Sequence, residues 1–531
     1  MTTFDETFHS AYGFDAPSIE IGHALEGTAV RPELAARVPL AMLNRHGMIA
    51  GSTGTGKTRT LQLFAEGCSR NGIPVFLADV KGDLAGLAKP GEPNDRVTTR
   101  MQQLGRAFAP EAFPVEYFSL TGTRGTQLRA TVSSFGPILL GKVLDLTDVQ
   151  QSVLAMVFKY CDDKRMPLLD FEDLRDVLNY LCGDGKADLK EYGGMSSATV
   201  GVLVRKMVEL EQQGAAKFFG EPELEIADLM RIVDGKGVVN ILSLADVQDK
   251  PRLYSTFLMW LLGQFYYRLP EVGDAPKPKL VFFFDEAHQL FDDASSALVE
   301  HIEQVARLIR SKGVGVFFIT QTPKDVDEDV LAQLGNRVQH AIRAFTPKDA
   351  KNIKAAASTF PPNEHVDVAK SITSLGIGEA LVTVLDPRGV PTAVAPIQVT
   401  PPSSLMTAVD DATYAQRIAS SPIAAKYATP VNRESAHEIL QHRLGQNAEE
   451  VAPDQGDDFA WRKRGGATAA PDDFDWRAKG PAERRPSSTV SRGGGRQRKS
   501  TAEKVLDAAA TQATRSIVRE VARGIFGILK R

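Results

Sequence analysis

One short stretch constrains the fold of this chain more than any other. It consists of Gly51, Ser52, Thr53, Gly54, Thr55, Gly56, Lys57 and Thr58. The stretch matches the pattern G-x-x-x-x-G-K-[ST], follows the apolar residues MIA and precedes the amphipathic segment TRTLQLFAEGCSR. An apolar segment, a glycine-rich loop and a helical segment in this order predict a strand–loop–helix unit.

The loop predicts a phosphate-binding site, because its glycines let successive backbone N–H groups point towards phosphate oxygens. A helix that begins near Lys57 directs its positive end to the same place. We therefore predict that residues 51–58 bind ATP with Mg²⁺. Lys57 is expected to reach the β- and γ-phosphates, and the Thr58 hydroxyl to ligate the metal ion.

Apolar runs alternate with helical patterns on both sides of this loop, which predicts an α/β fold with a parallel-rich central sheet. A hairpin is expected over 379–399, with its turn at Asp386-Pro387-Arg388-Gly389. The other expected strands are HGMIA (46–50), IPVFLAD (73–79), PVEYFSL (114–120), GVVNILSL (237–244), KLVFFFDE (279–286), GVGVFFITQ (313–321) and RVQHAIRAF (337–345).

Composition and periodicity divide the chain into seven segments. They are a lead-in (1–48), the first part of the core (49–145), an all-helical insertion (146–232), the second part of the core (233–400), a helical extension (401–444), a disordered linker (445–500) and a basic amphipathic helix (501–531). Thr147, Asp170 and Ser197 are expected to be helix N-caps in the insertion, and Ser500 with Glu503 a capping box in the tail.

A second motif is the apolar run LVFFF followed by Asp285 and Glu286. Strand carboxyl ends in an open parallel sheet face the ligand crevice. We expect Asp285 to hold Mg²⁺ through water and Glu286 to orient or deprotonate the attacking water. His288 is assigned no role. Asp79 ends another apolar run, and its pattern fits a Mg²⁺-linked role and simple capping of its loop equally well.

Further candidates surround the run GVGVFFITQ. Gln321 ends this run and is expected to sense the γ-phosphate. Arg307 and Arg310 lie three residues apart on the preceding helix, where one of them could reach a neighbouring subunit's γ-phosphate. Ordinary solvated arginines fit the same pattern. Arg337 and Arg343 are weaker candidates.

Composition excludes several classes of protein. The net charge is −4, the three cysteines form no CxxC pair, the N-terminus MTTFDETFHS is polar, and no apolar run reaches the length of a membrane span. These features predict a cytoplasmic protein without a transmembrane segment. Positive charge is concentrated at the C-terminal end, where residues 484–531 contain twelve Lys/Arg and three Asp/Glu.

Taken together, GSTGTGKT, ADVKGD, FFFDEAH and RLIRSKGVGVFFITQ resemble the HerA–FtsK group of P-loop motor ATPases. The segments NRHGMIAGSTGTGKT, FLADVKGDLAGL and NRESA (432–436) resemble an uncharacterised bacterial HerA-like family more closely. The resemblance implies a RecA-like core and a hexameric ring with ATP sites between subunits. It also implies Glu286 as the catalytic glutamate, Gln321 as the sensor and Arg310 or Arg307 as the arginine finger.

This chain differs from HerA proper at the N-terminus, because HerA proper carries a β-barrel before its P-loop. Only 50 residues precede Gly51 here, too few for such a barrel. Three functions are therefore considered. The first is a ring ATPase that moves DNA, with the basic tail contacting phosphates. The second is a protein-directed ATPase like those of conjugation and secretion, with the tail on a membrane surface or protein partner. The third is a nucleotide-gated scaffold.

Overall fold

The computed structural model describes residues 3–291, 296–343 and 347–450. Its strands are β1 (Ser18–Glu26), β2 (Ala29–Pro39), β3 (Gly47–Ala50), β4 (Val75–Asp79), β5 (Val115–Ser119), β6 (Thr126–Gln127), β7 (Ile232–Val233), β8 (Lys236–Gly237), β9 (Val239–Ser243), β10 (Leu280–Phe284), β11 (Val314–Thr320), β12 (Asn336–Gln339), β13 (Glu379–Thr383) and β14 (Ala395–Val399).

The α-helices of the described ranges connect and cover these strands. They are α1 (Phe4–Tyr12), α2 (Lys57–Arg70), α3 (Asp95–Gln103), α4 (Val132–Val143), α5 (Asp148–Lys164), α6 (Phe171–Cys182), α7 (Ser197–Gln212), α8 (Pro251–Arg268), α9 (His288–Phe291), α10 (Ser296–Ile309), α11 (Glu328–Leu331), α12 (Pro347–Ala357), α13 (Val368–Ser374), α14 (Asp411–Ala419), α15 (Pro422–Tyr427) and α16 (Ala436–Glu450).

A twelve-stranded sheet organises the described part of the chain, in the order β2-β1-β14-β13-β12-β3-β11-β10-β4-β9-β5-β6. The neighbours from β12 to β6 run parallel, and those from β2 to β12 run antiparallel. The predicted α/β class with a parallel-rich sheet is confirmed. The expected hairpin is β13 and β14, whose connection turns where Gly389 N donates to Asp386 O over 2.8 Å.

Both faces of the parallel sheet are covered, which explains the continuous apolar runs in its strands. Successive residues of β10 alternate between two hydrophobic clusters. Phe282 and Phe284 pack with α8 and the helical insertion, whereas Val281 and Phe283 pack with α2 and the N-terminal elements. The sheet is therefore the middle layer of a three-layer fold.

The segment 146–232, predicted to be a helical insertion, contains α5, α6 and α7 and ends at the start of the short strand β7. Thr147 and Asp170 are the N-caps of α5 and α6, each in a capping box. The third predicted cap was wrong by one residue, because the Ser196 hydroxyl, not that of Ser197, accepts a hydrogen bond from Thr199 N over 3.1 Å. Adjacent serines cannot be told apart by propensity alone.

The lead-in extends the sheet, which the sequence did not reveal. Strands β1 and β2 form an antiparallel hairpin, and β1 pairs with β14. Helix α1 packs against the hairpin through Phe8 and Tyr12. The Tyr12 hydroxyl lies 2.8 Å from Val382 O and 2.9 Å from Ala393 O and shares its one proton between them, so this segment is anchored to the β13–β14 hairpin.

The predicted C-terminal helical extension contains α14, α15 and α16. The segment that leads into this extension is held against α2 by Glu66, a buried carboxylate that accepts hydrogen bonds from Ser403 N and Ser404 N. Helix α16 passes residue 445, where the sequence predicts a linker to begin. The remaining linker, the basic helix 501–531 and the capping pair Ser500 and Glu503 lie outside the described residues. Within those residues, no helix combines the length and apolar character that crossing a bilayer requires.

His46 joins the last turn before β3 to two other elements. Its Nδ1 accepts a hydrogen bond from Val316 N over 3.1 Å, so Nε2 carries the proton and donates to Ala306 O over 2.6 Å. Burial, together with Arg310 and Arg45, lowers the pKa of His46 from 6.5 to about 4. The folded chain thus requires the neutral imidazole.

This requirement predicts that stability falls with pH below about 6.5, because the unfolded chain then binds a proton that folded His46 does not. The free energy of unfolding of the wild type should lose about 2 kcal/mol relative to His46→Gln between about pH 7.5 and pH 5. Urea unfolding at several pH values measures this gap. His9→Gln, at an exposed histidine, is the control, and an unchanged gap for His46→Gln would contradict the prediction.

Candidate active site

Four adjacent parallel strands bring the predicted residues to one edge of the sheet. In β3, β11, β10 and β4, Ala50 is paired with Thr320, Phe318 with Phe284, and Phe284 with Ala78. The segments that follow these strands contain the glycine loop, Gln321, Asp285 with Glu286, and Asp79. All of them therefore meet at the carboxyl edge, as the sequence predicted from strand ends alone.

The glycine loop is held open between β3 and α2. Gly54 and Gly56 have φ of 78° and 119°, values that suit glycine. Gly51 N donates to Thr320 O over 3.2 Å and Ser52 N to Ala341 O over 2.9 Å. These bonds fix the start of the loop on its neighbouring strands, while Thr53 and Gly54 at its tip are exposed. The loop fits the predicted phosphate cradle.

His340 supports this loop from below, and sequence reasoning missed it. His340 N donates to Ala50 O over 2.7 Å. Its Nδ1 donates to Glu379 O over 2.9 Å, so its Nε2 accepts from the Thr60 hydroxyl over 2.8 Å. A Cβ on Gly51 would lie 2.6 Å from the His340 Cβ, which explains why position 51 needs glycine. His340 thus joins β3, α2 and β13 beneath the loop.

Lys57 is the first residue of α2 and is only 8% exposed. Its Nζ donates to Ser52 O over 3.3 Å, so the ammonium group lies across the glycine loop. Burial lowers the pKa of Lys57, while Glu286 and Asp285 oppose this effect. A buried ammonium beside open backbone N–H groups suits a polyanion. Thr58 follows it and is half-buried.

Asp285 and Glu286 lie at the end of β10, 5% and 8% exposed. Burial and the neighbouring Glu286 raise the pKa of Asp285 to about 7. Burial also acts on Glu286, but its hydrogen bond from Lys81 and the charges of Lys81 and Lys57 outweigh it, and the pKa of Glu286 is lowered. Glu286 has a φ of 48°, and its Oε2 is buried without a hydrogen-bond partner among the described residues.

These side chains fit a Mg²⁺–nucleotide site. Carboxylate and hydroxyl oxygens are the ligands that Mg²⁺ uses, together with phosphate oxygens. The half-buried Thr58 hydroxyl and the Asp285 carboxylate supply one of each kind, and Glu286 Oε2 is an acceptor still in need of a donor. Thr58 and Asp285 would hold the cation, and a water molecule would donate to Glu286 Oε2.

Asp79 caps its own loop, one of the two roles that the sequence left open. Its Oδ1 accepts from Lys81 N over 3.2 Å and from Gly82 N over 2.7 Å, and its Oδ2 accepts from Leu84 N over 3.0 Å. Burial raises the pKa of Asp79 to about 6. The carboxylate therefore shapes the turn after β4.

Gln321 is exposed in the turn after β11, beside β3 and β10. Asp325 fixes this turn by accepting from the Thr320 hydroxyl over 2.6 Å and from Thr322 N over 2.8 Å. The turn thus presents an amide side chain at the edge where the glycine loop and Glu286 lie. Asp325 is another supporting residue that the sequence pattern did not identify.

The four arginines differ in their surroundings. Arg307 and Arg310 lie at the end of α10 and just after it, by the amino edge of the sheet and opposite this chain's own glycine loop. Arg307 pairs with Glu303. The guanidinium groups of Arg337 and Arg343 each donate to backbone carbonyls, Arg337 to Thr359 O over 3.0 Å and Arg343 to Thr373 O over 3.2 Å. The last two therefore have structural contacts.

A cleft of about 650 Å³ opens beside the glycine loop. It lies between the start of α2, the helix α3 and the residues that follow β14. Its lining combines apolar side chains with hydrogen-bonding ones, including Arg59, Asn94, Val97, Arg100 and Met406. A mixed lining of this kind is typical of small-molecule sites.

The fold and this site define the chain as a P-loop nucleotide-binding protein. The family model described as Helicase HerA-like C-terminal matches residues 27–531, and the chain belongs to this family. The resemblance seen in the sequence motifs is thereby confirmed.

Two curated relatives are similar in sequence to about 70% of this chain. The DNA double-strand break repair helicase HerA of Saccharolobus solfataricus is 22% identical over 385 residues, which are 71% of this chain and 68% of the relative. The protein of the same name from Sulfolobus acidocaldarius is 20% identical over 390 residues, 70% of this chain and 67% of the relative.

Solved structures show a more distant likeness. The bacterial conjugative coupling protein TrwBdeltaN70 matches 74% of this chain and 91% of its own, with a TM-score of 0.48 and 14% identity. VirB4 of Thermoanaerobacter pseudethanolicus matches 73% of this chain and 97% of its own, with a TM-score of 0.45 and 14% identity.

Lys57 and Glu286 are predicted to serve different steps, the binding of ATP and its hydrolysis. Lys57→Ala removes the buried ammonium across the loop and should weaken ATP binding by about 100-fold or more, since charge-assisted contacts to phosphate are lost. Glu286→Gln keeps the loop intact and should bind ATP within about threefold of the wild type, with turnover reduced about 100-fold or more. Calorimetric titration with ATP and phosphate-release assays measure the two quantities. Wild-type turnover in either variant would contradict the site assignment.

Proposed function

We propose that this protein is an ATP-hydrolysing motor that assembles as a ring and acts on DNA. The observation that carries the ATPase part is the meeting of the glycine loop, Lys57, Asp285 and Glu286 at one sheet edge. Glu286 presents there a buried carboxylate oxygen, Oε2, with no hydrogen-bond partner among the described residues, although His288 Nδ1 lies 3.4 Å from it. A structural carboxylate would have its oxygens satisfied, whereas a general base needs one oxygen for water.

ATP lies across two neighbouring parts of this site in our proposal. The triphosphate accepts hydrogen bonds from the loop N–H groups and from Lys57. The nucleoside enters the adjoining cleft, whose lining continues from Gly56 and Thr60 to Val97 and Met406. The cleft is large enough for a purine nucleoside, and its apolar side chains offer a surface for the base.

Hydrolysis then uses the residues at the strand ends. Thr58 and Asp285 hold Mg²⁺, which neutralises phosphate charge when bound. Glu286 orients a water molecule and accepts its proton as the water oxygen attacks the γ-phosphorus. The bond from that phosphorus to the bridging oxygen breaks, and ADP and phosphate result. Gln321, in the turn after the neighbouring strand β11, contacts the γ-phosphate and reports its loss.

The ring is proposed from the family resemblance, and the positions of two arginines support it. Arg307 and Arg310 are at the opposite edge of the sheet from this chain's own phosphate loop, so neither serves that loop in the same subunit. In a ring of identical subunits, an arginine at this edge can stabilise the γ-phosphate charge of the neighbour's ATP. The DNA substrate is proposed from membership in the HerA-like family and from relatives named as DNA repair helicases.

Mixing two inactive variants tests this arrangement. Arg310→Ala retains its loop and Lys57→Ala retains its arginine, so a mixed ring contains some interfaces with both. At equal amounts, about a quarter of the interfaces should be complete, and ATP turnover should return accordingly. Arg307→Ala is mixed in the same way, and the variant that is rescued identifies the finger.

The matched control mixes Lys57→Ala with Glu286→Gln. Both residues belong to the same subunit's site, so no interface is complete and turnover should stay low at every ratio. If neither arginine variant is rescued by Lys57→Ala subunits at any ratio, the proposed action across subunits is wrong.

A further inference from the structure

A lysine that the mechanism above does not use contacts the proposed base. The Lys81 Nζ donates to Glu286 Oε1 over 2.5 Å. The Lys81 side chain is about half exposed, whereas the Glu286 carboxylate is buried, so the ion pair lies at the mouth of the site. Lys81 also interacts electrostatically with Asp285 and Lys57. It is therefore part of the charge cluster at the sheet edge.

The backbone that presents Lys81 is fixed from two sides. Asp79 accepts hydrogen bonds from Lys81 N and Gly82 N, and Gln248 Nε2 donates to Val80 O over 2.8 Å. Gly82 completes the turn with a φ of 80°. Because hydrogen bonds join this turn to β4 and to the segment after β9, the backbone from which Lys81 reaches Glu286 is fixed. The buried Asp79 thus acts indirectly, by holding the turn that carries Lys81.

The two carboxylate oxygens of Glu286 have different surroundings. Lys81 occupies Oε1, whereas Oε2 has no hydrogen-bond partner in the described ranges and lies 3.4 Å from His288 Nδ1. The backbone of Glu286 is also constrained, since Glu286 N donates to Asp285 Oδ1 over 3.0 Å and Ala287 N donates to Ile319 O over 2.8 Å. With the backbone and one oxygen held, the direction of the second oxygen is set.

We propose that Lys81 is a positioning residue for ATP hydrolysis, which anchors one oxygen of Glu286 so that the other faces the attacking water. The inference rests on the proposed ATP hydrolysis. Lys81 acts through Glu286 and makes no contact with nucleotide in this proposal. Its removal should therefore change the chemical step and leave nucleotide affinity unaltered, because a freely rotating carboxylate is in the productive orientation less often.

The test replaces the ammonium by an apolar side chain of similar length. Lys81→Met should lower kcat about tenfold or more, with the dissociation constant for AMP-PNP and Mg²⁺ within about twofold of the wild type. Lys81→Arg retains a donor and should keep kcat within about threefold. In a Glu286→Gln background, Lys81→Met should have no further effect on single-turnover hydrolysis.

Lys89→Met is the matched control, since Lys89 also forms a partly exposed ion pair, with Asp410 at 2.7 Å, but neither pairs with Glu286 nor lines the cleft. It should behave as the wild type. Thermal unfolding checks each variant, and Lys81→Gln replaces Lys81→Met if the apolar side chain disturbs the turn.

The outcomes are distinguishable. If the wild type does not hydrolyse ATP, the proposed function itself is wrong. If the wild type hydrolyses ATP and Lys81→Met retains its kcat, only the role of Lys81 is wrong. A rise in turnover would mean that the ion pair restrains Glu286, and an equal loss of AMP-PNP affinity would mean that Lys81 binds nucleotide. Either result overturns the proposal.

Discussion

Burial of charge at the carboxyl edge of one parallel sheet is the constraint on which the rest of this structure depends. Two carboxylates end adjacent strands there, and a third follows one of them. A buried carboxylate is costly unless it is hydrogen-bonded, paired or protonated. Asp79 accepts hydrogen bonds from the N–H groups of its turn, and Asp285 accepts one from Glu286 N. Glu286 accepts one from Lys81 at Oε1 but none at Oε2 among the described residues. Binding of the proposed Mg²⁺ and nucleotide would therefore offset this burial of charge.

This constraint also explains the supporting residues. A loop that leaves its N–H groups free for phosphate cannot satisfy them internally, so other elements must hold it. His340 bridges β3, α2 and β13 beneath it, and Asp325 shapes the turn that carries Gln321. Residues that make no contact with the proposed substrate thus determine the geometry of those that do.

The sequence predicts the parts of this fold that depend on local pattern. Continuous apolar runs reveal strands that are buried on both faces, and the residues just after them reveal the site edge. The β1–β2 hairpin escaped prediction because the segment VRPELAARV mixes charged and small residues without clear alternation. Lys81 and His340 escaped it because their partners are 205 and 280 residues away in sequence. Only the sheet order brings them together.

ATP turnover at this edge is proposed to drive movement of DNA. The measurement that tests it most directly is steady-state ATP hydrolysis by the purified chain, alone and with duplex or single-stranded DNA, with the Glu286→Gln protein as the blank. We expect hydrolysis well above the blank, raised several-fold by DNA, with a stimulation that weakens as salt releases phosphate contacts. Hydrolysis above the blank that is indifferent to DNA at every salt concentration would contradict it.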